Sequence, residues 1–117
     1  MKNHKELIVY QKSYQLCLAI YETTKNFPKE EIYGIVSQLR RSAVSIPSNI
    51  AEGYRRKNRS EYLQFLRIAL GSHSELETQL SLSKDLHFIP VKEADKLLND
   101  AEAIGQLLYK LIMSLEK

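Results

Sequence analysis

His73 and Glu77 stand one helical turn apart, where an imidazole and a carboxylate on one face could supply two ligands to a transition metal. A zinc site needs three or four such ligands, and carboxylate sites in helical bundles are built from Glu-x-x-His pairs, which this chain lacks. His4 and His87 lie far from His73, and no HExxH pair is present. His73 also falls within an apolar run at helical spacing, which favours a hydrogen-bonded core histidine over a metal ligand. Cys17 sits between Tyr14 and Tyr21 without a neighbouring base to activate it, so it reads as an inert core thiol. Ser42, Ser45, Ser48, Ser72 and Ser74 lie in helical stretches and none belongs to a GxSxG elbow or a Ser-x-x-Lys motif. Leu70-Gly71-Ser72 suits close approach of a neighbouring backbone rather than a phosphate cradle. No catalytic residue, metal or cofactor is therefore assigned, and an enzyme is not expected.

The segment Ser45-Ile46-Pro47-Ser48-Asn49-Ile50-Ala51-Glu52-Gly53-Tyr54-Arg55-Arg56 carries more information. Between positions 40 and 67 seven basic residues face two acidic ones, a local charge of +5, while the remaining chain carries ten bases and twelve acids. Charge concentrated in this way can attract a polyanion. The candidate nucleic-acid contacts are Arg40, Arg41, Arg55, Arg56, Lys57 and Arg59. A solvated helix junction is the plainer reading of the same residues, and an acidic protein is the competing partner. Arg41, Ser45, Ser48 and Glu52 follow one another at steps of four, three and four. With Asn49 and with Glu75 from the third helix, they read either as a small recognition surface or as a hydrogen-bonded polar network. The network is favoured, because it could satisfy groups that Pro47 frees.

These residues are positioned by four amphipathic stretches. Leu7, Tyr10, Tyr14, Cys17, Tyr21 and Thr24 alternate steps of three and four, which predicts a helix with that line toward the core. Val9, Leu16 and Ile20 form a second apolar line. Asn3 and Glu6 have capping-box spacing, and Phe27-Pro28 ends the helix. The second helix is expected to start at Glu30 and Glu31, acids placed at the positive end of its dipole. It buries Ile32, Ile35, Leu39, Ala43, Ile46 and Ile50, kinks near Ala43 to Pro47, and stops at Gly53 as a C-terminal cap. Ser60 is the expected N-cap of the third helix, which buries Tyr62, Phe65, Leu66, Ala69, His73, Leu76 and Leu80. The fourth buries Ala94, Leu97, Ala101, Ile104, Leu108, Leu111 and Leu115, with Leu98, Gly105 and Ile112 widening its stripe. The fold class is all-α, an antiparallel up-down-up-down four-helix bundle with its second helix kinked near Pro47. Apolar stripes wider than one neighbour covers, on the first and last helices, predict self-association.

A chain of 117 residues suits a single domain, here residues 1–117, able to bury one core. No apolar run approaches the roughly 20 residues of a membrane span. The N-terminal residues lack the apolar core of a secretory signal. The lone Cys17 permits no intrachain disulfide, so a cytoplasmic protein is expected.

At SIPSNIAEGYRR the chain resembles the 23S rRNA intervening-sequence protein family, the S23-like four-helix-bundle proteins. The resemblance extends through Phe27-Pro28-Lys29-Glu30-Glu31, Gln38 to Val44, Phe65 to Ser72 and Glu75 to Leu80; the last helix matches only in character. It implies a bundle assembled into a homopentamer, without enzymatic activity. A related accessory protein of diversity-generating retroelements is a basic pentameric barrel that engages nucleic acid and reverse transcriptase. The chain departs from such a protein in its modest number of basic residues.

Overall fold

The computed structural model describes residues 3–117. Four helices, α1 (Ile8–Thr24), α2 (Ile35–Tyr54), α3 (Arg59–Asp85) and α4 (Val91–Glu116), are joined by short connections. Short 3-10 turns at His4–Glu6 and Lys29–Glu31 precede α1 and α2. Each helix packs against its neighbours in sequence, and α1 meets α4 to close the bundle, an elongated body of 44 × 24 × 21 Å. Short links force consecutive helices to run antiparallel, as in up-down-up-down bundles.

The core is aliphatic. Ile20, Leu39, Ile46, Ile50, Leu66, Leu76, Leu80, Ile104 and Leu108 are all fully buried. At the end holding the α1–α2 and α3–α4 links, the Phe27 and Phe88 rings lie 5.5 Å apart and close the core. Polar contacts tie α4 to both its neighbours: Thr23 of α1 donates to Glu93 at 2.7 Å, and Lys84 of α3 pairs with Asp95 at 2.6 Å.

Helix α1 turns a different face inward from the one its tyrosines mark. Val9, Ser13, Leu16, Ile20, Thr23 and Thr24 are buried. Tyr14 is 47% exposed and Tyr21 40%. A helix touching only α2 and α4 buries one arc, and aliphatic side chains fill it without stranding a phenol hydroxyl away from water. The second apolar line therefore wins, and the tyrosines border α2 instead.

Helix ends also differ from the expected ones. Asn3 caps the first 3-10 turn, its side chain accepting from Lys5 N at 2.8 Å, and α1 itself starts only at Ile8. Glu30 and Glu31 form a 3-10 turn of their own, and α2 begins at Ile35 after Gly34, leaving Ile32 half exposed. Helix α2 is continuous through buried Pro47 and ends at Tyr54. Gly53 is not a left-handed cap but a contact point: a Cβ there would lie 2.8 Å from Phe65 Cβ on α3. Gly71, by contrast, has nothing within 4 Å, so no neighbouring backbone uses it.

Asn58, not Ser60, caps α3. Its Oδ1 accepts from Glu61 N at 2.9 Å while its Nδ2 donates to Glu61 Oε2 at 2.6 Å, a reciprocal arrangement three residues apart. Ser60 already lies in the first turn. Helix α3 ends in a Schellman-type closure, with Phe88 N donating to Ser83 O at 2.9 Å and His87 N to Lys84 O at 3.0 Å. The left-handed residue of that closure is His87, at φ 64°.

Candidate nucleic-acid interface

The α2–α3 link sets Arg55, Arg56 and Lys57 just beyond the C-terminal end of α2, where cations complement the helix dipole. Arg59 opens α3 at the same end of the bundle. All four are exposed. Their surroundings differ. Arg56 pairs with Glu52 at 2.7 Å, approaches Glu61 at 3.9 Å, and lies over the Phe65 ring at 4.7 Å. Arg59 donates to the Lys117 carbonyl at 2.9 Å. Arg55 and Lys57 project into solvent with no ion pair among the described residues.

Arg40 and Arg41 lie a further ~20 Å away along α2, fifteen residues back at about 1.5 Å each. Arg40 is engaged by α1. Its Nε donates to Thr24 Oγ1 at 2.9 Å, it reaches Tyr21 O at 3.5 Å, and its guanidinium lies 4.7 Å from the Tyr21 ring centre. Those contacts serve the last turn of α1, whose terminal carbonyls lack helical partners. Arg41 instead faces α3, at a polar cleft of about 330 Å³ bordered by Glu75 and Gln79. The six candidate contacts thus divide: four at one end, and two on opposite flanks of α2.

Ser45 and Asn49 take part in a polar network between α2 and α3. Ser45 Oγ is 2.7 Å from Ser72 Oγ, and Asn49 Nδ2 donates to Ser45 O at 2.8 Å and to Ser45 Oγ at 3.0 Å. Ser42 extends it by donating to Gln79 Oε1 at 2.7 Å. Glu52 turns to Arg56 instead, and Arg41 and Glu75 border the cleft without pairing. Ser48 lies on the far side, toward α1. Ser42, Ser72 and Gln79 were not expected in this network. Their signal was present: Ser42, Ser45 and Asn49 step by three and four, as do Ser72, Glu75 and Gln79.

His73 is a core residue. It is 6% exposed, and its Nε2 lies 2.6 Å from the Ala101 carbonyl oxygen of α4. A carbonyl only accepts, so Nε2 carries the proton. Glu77 Oε1 stands 3.7 Å from Nδ1. Among the described residues, no three His, Cys, Asp or Glu side chains are grouped to hold a metal ion. Burial pushes the Cys17 thiol above its ordinary range, which suppresses the reactive thiolate. No helix among the described residues is long and apolar enough to cross a membrane.

Helix order, an aliphatic core and a basic connection at one end define a class of small all-α bundles. The chain belongs to the 23S rRNA-intervening sequence protein family, whose model matches residues 5–110. Among solved structures it is similar to a protein of unknown function from the S23 ribosomal protein family of Bacteroides thetaiotaomicron. The two are 28% identical, with a TM-score of 0.84 over 91% of this chain and 96% of the other. Among curated proteins there is no match.

Proposed function

We propose that this protein is a non-enzymatic, self-associating bundle of the bacterial cytoplasm that binds RNA as a polyanion through its basic end. The observation that carries this reading is the projection of Arg55, Arg56, Lys57 and Arg59 from one end of the bundle, with Arg55 and Lys57 in no ion pair among the described residues. Phosphate contacts from such residues position a nucleic acid without reading its sequence. One protomer offers few contacts. Repetition of the same end around a ring would raise the local field and the avidity together. Self-association is supported by Tyr109 and Met113, one turn apart on α4 and 58% and 47% exposed. A ring of five follows from the family resemblance.

Titration of a labelled RNA hairpin at about 50 mM and about 200 mM salt tests the reading. Affinity should fall steeply between the two, and the double variant R55E/K57E should lose most of the low-salt binding. Absence of binding by the wild-type protein at the lower salt would remove it. Sedimentation velocity tests the assembly, which a monodisperse monomer at micromolar concentration would exclude.

A further inference from the structure

We propose that the groove between α1 and α2 is a stacking site for unpaired bases of single-stranded RNA; this rests on the RNA-binding reading above. The groove holds about 540 Å³ and its lining is largely apolar, with Leu18, Val44 and Pro47 among the residues that border it. Tyr10, Tyr14 and Tyr21 stand along it. They rise from one side at intervals of about 6 Å and about 10 Å along the α1 axis. The Tyr10 and Tyr14 rings are 6.0 Å apart and tilted. Arg40 already covers one face of Tyr21 and His4 meets the Tyr10 ring at 4.8 Å, so Tyr14 is the most open platform. Such a ring accepts any base, because every base has a π-face, and a phenol tolerates the water that a half-open groove admits.

The charges flanking the groove suit an anionic partner, and the tyrosine rings beside them favour a strand of bases over an acidic protein. Among the described residues no carboxylate lines the groove, nor the adjoining depression that shares Tyr10 and Tyr14. A cation stands at each end of the tyrosine line. Lys5 borders the depression beside Tyr10, and Arg40 lies over the Tyr21 ring. Because α1 and α2 are antiparallel, the Tyr10 end meets the C-terminal part of α2, at Ala51, four residues before Arg55. Arg55 and Lys57 therefore lie beyond the same end of the groove, within reach of a strand that leaves it. Sequence-independent single-strand sites combine a cationic track with aromatic platforms in this way.

The chain has seven tyrosines and no tryptophan, and three of the seven line the groove, so the part of the emission that Y14F removes reports on it. Oligo(U) should quench that emission, and a blunt RNA duplex, whose bases are already stacked, should not. Y14A should weaken oligo(U) binding about tenfold, leave duplex binding unchanged, and keep the salt dependence of the wild type. Y14F should bind as the wild type does. Tyr14 is half exposed, so its truncation spares the core. Unchanged oligo(U) affinity in Y14A, with wild-type binding intact, would overturn the groove while sparing the basic end. A smaller assembly for RNA-free Y14A in sedimentation would also overturn it, because a second copy of the chain would then occupy the groove. Failure of wild-type protein to bind either RNA would remove both readings.

Discussion

His73 Nε2 donates to the Ala101 carbonyl across 2.6 Å, and Gly105, one turn further along α4, lies directly against the imidazole. A Cβ at position 105 would stand 2.5 Å from His73 Cε1 and 2.7 Å from Nε2. Glycine costs a helix interior about 1 kcal/mol relative to alanine. Here the ring has claimed the space, and the glycine is what allows α3 and α4 to approach.

Gly105→Ala should therefore destabilise the protein by about 1–2 kcal/mol, because overpacking against a buried ring outweighs the gain in helix propensity. Gly71→Ala should do the opposite, adding about 0.5–1 kcal/mol, since nothing lies within 4 Å of its would-be Cβ. Urea denaturation of the two variants separates the effects. Equal shifts of the same sign would refute the steric account.

His87→Gly should stabilise the α3–α4 connection. A left-handed residue with a side chain costs about 1–2 kcal/mol, and the greater unfolded-state freedom of glycine returns roughly half of that. The net gain is about 0.5–1 kcal/mol, a rise of about 4 °C in Tm. Thermal unfolding followed by circular dichroism gives the answer.

Asn58→Ala should cost about 1 kcal/mol, because it strips the N-cap acceptor from α3 and the reciprocal bond to Glu61. Ser60→Ala should be nearly silent. Comparing their urea midpoints tests which residue caps the helix. A larger loss at Ser60 would contradict the assigned boundary.

Tyr62 gives the bundle an alkaline limit. Burial, and secondarily the charge of Tyr54, hold its phenol above the ordinary value of 10.0. The folded state then keeps a proton that the unfolded chain releases, so stability declines from about pH 10 upward until the folded form also ionises. Tyr62→Phe cannot ionise and should flatten that part of the decline. Urea midpoints of both proteins, taken from pH about 8 to pH about 11, measure it.

Much of the bundle could be read from the chain alone. The step pattern of Ala94 through Leu108 and of Leu66 through Leu80 marks buried faces that the structure keeps, because aliphatic residues at helical spacing leave one inward arc. The pattern of α1 was ambiguous, with two apolar lines on one helix. Periodicity shows that a line exists but does not say which line a neighbour covers.

Composition and spacing determined four helices, an aliphatic core and a basic connection after Gly53, since these depend on hydrophobic period and local charge. Only the packed bundle decided that Asn58 rather than Ser60 caps α3, that Gly53 and Gly105 serve interhelical contact, and that Arg40 attaches to α1 while Arg55 and Lys57 remain exposed. Those outcomes depend on side chains brought together from distant positions. Residues separated in sequence become neighbours only when burial of the apolar stripes fixes how each helix is rotated.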